Sequence, residues 1–195
     1  TEQPAPSEQR LTEGIKLITD GKFTEAIAFW GQLKQENPRD PQPYFFSGIA
    51  LTELGRLSAA ASELSEAIRL SPEKLEYQVF HADVLARLNH KDLAIKALIP
   101  FQQINVVAQL STELQLRLAE LYYRIDRDWN FGSGHYDDAL RVVRFTSRQA
   151  PNDPRPDVIL GRIYAAKGKP DMAQRHFEAS IRRKAVGNAE AYFEL

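Results

Sequence analysis

Residues 44–54 carry apolar or small side chains at Tyr44, Phe45, Gly48, Ile49, Leu51 and Leu54, with polar residues at Ser47, Thr52 and Glu53. That spacing is helical. Gly55 follows where a glycine C-cap would end the helix. A second helix opens at Ser58, with Ala60, Ala61, Leu64, Ala67, Ile68 and Leu70 on its apolar side, and Pro72 closes it. Small residues at Gly48 and Ala60 let the two helices approach, and Leu51 and Leu64 fill the space around them. The same pattern stands 34 residues earlier. Leu11, Gly14, Leu17 and Ile18 mark a first helix, Gly21-Lys22-Phe23 a turn, and Ala26, Ile27, Trp30 and Leu33 a second helix ending at Asn37-Pro38. Self-similarity at this period predicts a stacked array of helix pairs.

The period continues with two departures. In the third unit Phe80, Ala82, Leu85 and Leu88 precede Asn89-His90-Lys91, then Leu93, Ala94, Ala97 and Leu98. Pro100 falls inside its expected second helix and should kink or stop it. Val106 stands where a closing proline would be. The fourth unit is longer, with about three extra residues near 109–111 and about eight around 126–133. Its helices are expected at 112–125 and 137–149. The fifth has Gly161, Tyr164, the turn Lys167-Gly168-Lys169, and then Ala173, Phe177, Ser180 and Ile181. The organisation read from the sequence is a flexible segment over 1–7 and a single array over 8–195. Its units are 8–40, 41–74, 75–108, 112–153 and 154–187, and a further helix starts at 189–195. That last start, with Tyr192, Phe193 and Leu195, cannot bury its own apolar side; either the natural chain continues or the stub caps the last unit.

Composition narrows the function classes. Forty-three per cent hydrophobic residues suffice for a continuous core. A formal net charge of -1 argues against nucleic-acid binding driven by bulk charge. No apolar run reaches the roughly 20 residues of a membrane span, so direct membrane insertion is not expected. Without cysteine there is no disulfide or thiolate metal site, and cytoplasm and periplasm fit equally well.

The stretches Gly21-Lys22-Phe23-Thr24-Glu25-Ala26-Ile27, Gly134-His135-Tyr136-Asp137-Asp138-Ala139-Leu140 and Gly168-Lys169-Pro170-Asp171-Met172-Ala173 resemble the tetratricopeptide repeat (TPR). The resemblance covers nearly the whole chain from about Glu8, with about five repeats. It implies an all-α, right-handed superhelical solenoid whose first helices line a concave groove. It also implies binding of a protein or peptide there, with no catalysis and no cofactor. The groove positions are then Leu11, Ile15 and Ile18; Phe45, Ile49, Thr52 and Glu53; Val79, Asp83 and Arg87; Leu116, Glu120, Tyr123 and Arg124; and Val158 and Arg162. The expected ligand anchors apolar side chains near Ile15, Phe45 and Ile49 and orients its polar end on Asp83, Arg87, Glu120, Arg124 and Arg162. Alternatively, the apolar end packs against neighbouring helices or against 1–7. One family variant clamps the terminal carboxylate of chaperone tails with lysine, asparagine and arginine. The equivalent places here include Leu11, Ile15, Gly48, Glu76 and Phe80, so that clamp is absent.

The inserted loop is a second candidate surface. Trp129, Phe131 and Tyr136 are anchor-type residues. They either meet a partner or fold back over the fourth unit as a small satellite core. Signs of an enzyme are sparse. His81, His90, His135 and His176 make no ligand spacing, and His135 beside Asp137 and Asp138 sits in a turn that the repeat already explains. Ser62, Ser65 and Ser71 have no histidine in evident reach. Arg182-Arg183-Lys184 reads as a solvated helix end, where cations suit the dipole. The sequence therefore points to a non-catalytic interaction module or scaffold. The alternative is a structural segment that self-associates into a homo-oligomer through its end faces.

Overall fold

The structure is a computed structural model that describes residues 6–129 and 134–183, with side chains from residue 9. The helix start expected at 189–195 and residues 1–5 of the flexible segment expected over 1–7 lie outside the described residues, whereas Pro6 and Ser7 of that segment already belong to the first helix. Among those described every regular element is helical. In order these are α1 (Pro6–Thr19), α2 (Phe23–Glu36), α3 (Pro41–Glu53), α4 (Leu57–Leu70), α5 (Leu75–Arg87), α6 (Lys91–Leu98), a 3-10 turn (Ile99–Gln102), α7 (Ile104–Val107), α8 (Thr112–Trp129), α9 (His135–Gln149), α10 (Arg155–Ala166) and α11 (Pro170–Arg182). The chain divides after Ile99 into two compact bodies. In the amino-terminal body each of α1 to α6 packs on the next, and α3 also meets α5. In the carboxy-terminal body α8, α9, α10 and α11 pack in the same succession, and α8 also meets α10. This is an all-α helical repeat.

The pairs interlock by size. A Cβ added at Gly14 would lie 2.2 Å from the Trp30 ring, one at Gly48 2.7 Å from Leu64, and one at Gly161 2.3 Å from the Phe177 ring. Only glycine leaves room for those side chains. Where the facing position holds Leu98 or Val143 by repeat register, the first helix carries Ala82 or Ala119 instead, both fully buried.

Each short turn is a Schellman motif. Gly21, Gly55 and Gly168 have φ of +74°, +70° and +67°. Lys22 N–H donates to Leu17 O, Arg56 N–H to Leu51 O, and Lys169 N–H to Tyr164 O. Repeat three makes the same turn with Asn89 at φ +59°, and His90 N–H donates to Leu85 O. Asparagine tolerates this region better than other residues with a Cβ.

A further periodic contact joins one repeat to the next. Tyr44 Oη donates to Pro38 O, Gln78 Nε2 to Pro72 O, and Gln115 Nε2 to Leu110 O at 2.9 Å. Tyr44 and Gln78 stand 34 residues apart, and Gln115 keeps the register once the three-residue insertion is counted. Each supplies a donor to a carbonyl that the preceding turn leaves without a helical partner.

Repeat three departs as its proline dictates. Its second helix, α6, has 8 residues against 14 in α2 and in α4, and Pro100 lies in the 3-10 turn that follows. In the carboxy-terminal body Phe101 is fully buried, and its carbonyl accepts from Arg141 at 3.1 Å. Repeat four differs from the expected helix bounds. Its first helix continues through Asp126 to Trp129, and its second begins at His135. The reason is local. Asp126 is 7% exposed, and its Oδ2 accepts from Tyr136 N–H at 2.7 Å, capping α9 from a neighbouring helix.

Candidate functional site

The amino-terminal body carries a continuous run of aromatic side chains. The Trp30 ring stacks on Phe46 with centroids 4.9 Å apart, Phe46 meets Phe45 edge-on, and Phe45 touches both Tyr77, at 4.5 Å, and Phe80. Burial pushes the Tyr77 hydroxyl up to about 12. This run sets how much of each expected groove residue reaches the surface. Phe45 is 7% exposed and belongs to the core. Val79 is fully buried, and Thr52 returns its hydroxyl to Gly48 O. Leu11, Ile15 and Ile18 are half-buried on the cluster of Ala26, Trp30 and Ala50. Ile49 is half-buried on the neighbouring cluster around Leu64. Asp83 is 3% exposed, with Arg87 at 3.0 Å beside it at the exposed end of α5.

In the carboxy-terminal body the corresponding positions pair with one another. Arg155 donates to Glu113 at 2.5 Å, and Arg162 lies 3.7 Å from Glu120, further along both helices. Arg124 is half-buried beside them, and Tyr123 is 8% exposed. Leu116 and Val158 are buried beneath.

Of the loop candidates, Trp129 and Tyr136 are half-buried and Phe131 lies outside the described residues. Tyr136 lies tilted 6.0 Å from Tyr123, Arg127 sits over the Tyr123 ring at 5.4 Å, and Lys167 is 5.9 Å from the Tyr136 ring. Tyr136 is thus enclosed by its own repeat and by the residue that ends α10.

Several chemical candidates find ordinary partners. Asp138 is shared between Arg141 at 3.0 Å and His135 at 3.5 Å, and Asp137 pairs with Lys167. Arg183 reaches back to the buried carboxylate of Asp157, whose other oxygen is 2.9 Å from His176 Nδ1. Burial, and Arg144 nearby, hold His176 below its ordinary value. One expectation needs correction: Ser65 does have a histidine in reach. Its Oγ is 3.1 Å from His81 Nε2, because α4 packs on α5 and brings together residues 16 apart in sequence. No carboxylate orients His81 among the described residues, and burial holds its imidazole below the ordinary value.

A concavity missed from the sequence opens between α1, the end of α2 and the start of α3. It has a volume of about 200 Å³, and Leu11 is among its lining residues. At its rim Arg10 donates to both oxygens of Glu36, at 2.6 and 2.9 Å, which holds that carboxyl below the usual range. Nothing in the spacing of Arg10, Glu36 and Asp40 announces that they converge; only the packing of three helices does.

A family model for the tetratricopeptide repeat matches residues 11–74, the first two helix pairs. Residues 11–74 thus carry the tetratricopeptide-repeat pattern. The TPR fold extends to the remaining pairs, as solved structures show. TTC0263, a TPR protein of Thermus thermophilus, is 16% identical, with 96% of this chain and 97% of that one covered and a TM-score of 0.69. MamA from Desulfovibrio magneticus RS-1 is 17% identical over 94% and 97%, with a TM-score of 0.67. YrrB, described as a TPR protein with an unusual peptide-binding site, is 18% identical over 90% and 84%, with a TM-score of 0.61. No curated protein matches the sequence. No described helix of the TPR array is long and apolar enough to cross a membrane.

Proposed function

We propose that this protein is a non-catalytic interaction module that binds a peptide or partner protein on the first-helix face of its amino-terminal body. The observation that carries the reading is the half-burial of Ile15 and Ile49. Both sit at the same repeat position, 34 residues apart, on helices whose deeper positions are already filled by Gly14, Phe45 and Gly48. An apolar side chain laid across them gains further burial without disturbing the interlocked pairs. Asp83 and Arg87 follow on α5, where a polar group of the same ligand would be oriented. Phe45 shapes this face from beneath rather than by contact.

The test compares affinity capture by the wild-type chain with capture by Ile49→Glu, with folding checked by circular dichroism and each captured partner then titrated as purified protein. Loss of one partner with Ile49→Glu alone, reproduced by at least a roughly tenfold weaker Kd, is the expected result. An unchanged partner list with unchanged affinities would overturn the reading. Concentration-dependent mass in the absence of any partner would favour a self-associating segment instead.

A further inference from the structure

The concavity at the start of the array is chemically two-sided. Leu11, Trp30, Leu33 and Pro43 give it an apolar lining. Glu36 and Asp40 stand at its edge with Arg10, so among the described residues the rim carries one more carboxylate than it has cations. Asp40 caps α3 with one oxygen, Oδ1, which accepts from Gln42 N–H at 3.0 Å; its Oδ2 has no partner among the described residues. Trp30 is 1% exposed, and its indole N–H has no acceptor among the described residues. A buried donor of this kind is costly and normally finds a partner.

We propose that this cavity is a pocket for one basic side chain of a peptide, lysine or arginine. The aliphatic stem lies along Leu11, Leu33 and Pro43, as long cationic side chains cover apolar surface while their heads stay polar. The charged head meets the free oxygen of Asp40 and shares Glu36 with Arg10, which brings the rim to neutrality. An acidic ligand fits worse, since it would face two carboxylates against one guanidinium. The pocket does not rest on the Ile15 and Ile49 reading. A peptide could use either surface alone.

The test is an NMR titration of the whole nitrogen-15-labelled chain with N-acetyl-arginine amide, followed through the Trp30 indole N–H and the Gln42 amide. N-acetyl-norleucine amide, with a comparable stem and no charge, is the comparison probe. The expected result is saturable shifts at Trp30 and Gln42 with the arginine probe, several-fold tighter than with norleucine. Asp40→Asn keeps an N-cap and removes the charge. It should weaken the arginine probe by roughly two- to fivefold, the size of one partly exposed ion pair, and leave the norleucine probe unchanged. Equal binding of the two probes, shifts confined to residues away from the cavity, or an Asp40→Asn variant that binds the arginine probe as well as wild type would each overturn the proposal. Glu36→Gln serves as the second variant, with the same expectation and the same contrary result.

Discussion

Gly14, Gly48 and Gly161 are fixed by what faces them, while Gly21, Gly55 and Gly168 are fixed by their own backbone. The two kinds of glycine fail differently. Gly161→Ala drives a methyl group to within 2.3 Å of the Phe177 ring and should cost about 1–3 kcal/mol, as overpacking does. Gly55→Ala meets nothing within 4 Å, so only its φ of +70° counts against it, at about 1–2 kcal/mol. Urea midpoints read both effects. Introducing a smaller residue at Phe177 should rescue Gly161→Ala and leave Gly55→Ala as it was. His81 makes a third case. Its folded-state pKa lies below 6.5 because burial disfavours the charged ring. The stability it contributes is therefore present above the ordinary value and is lost as pH falls through the folded value. Between about pH 7 and pH 5 the wild-type chain should lose more stability than His81→Gln. A histidine ring titration by NMR at or above the ordinary value would contradict this.

At the scale of elements, α9 is held at its start by a residue of another helix. Asp126→Ala removes that cap and should cost about 0.5–2 kcal/mol, with faster hydrogen exchange at the Tyr136 amide than elsewhere in α9. The short α6 poses the opposite problem, a helix that stops early. Phe101, fully buried just past Pro100, anchors the turn that replaces its last residues. Phe101→Ala should cost about 3–5 kcal/mol, measured by denaturant unfolding. The stop itself was legible, because proline cannot continue a helix whatever surrounds it. The turns were legible for the same kind of reason, since a left-handed φ demands glycine or asparagine at Gly21, Gly55, Asn89 and Gly168. The extension of α8 to Trp129 was not. Its cause is a carboxylate meeting an amide ten residues on, and no periodicity records such a contact.

At the scale of the molecule, the repeat period disclosed the helix pairs, because each pair must bury the same stripe against its neighbours. It did not disclose which groove-position side chains remain at the surface. Phe45 and Ile49 both have first-helix spacing, yet the aromatic run through Trp30, Phe46 and Tyr77 takes up the first and leaves the second half-exposed. Nor could the sequence pair Glu113 with Arg155 or Glu120 with Arg162. These pairs are partly exposed and should be worth about 0–1 kcal/mol each. Arg162→Ala should accordingly move the unfolding midpoint little, and the difference from wild type should shrink as salt rises.

The donors at Tyr44, Gln78 and Gln115 bear on how such a chain changes length. Because each reaches back to a carbonyl at the end of the repeat before it, the first three junctions carry the same kind of fastening. Excising residues 41–74 would bring Leu75 directly after Asp40 and set Gln78 on Pro38 O, where Tyr44 had been. The seam left behind would match the one removed. The first repeats are therefore interchangeable links, which gene duplication or deletion can add or remove one at a time without a new joint having to evolve.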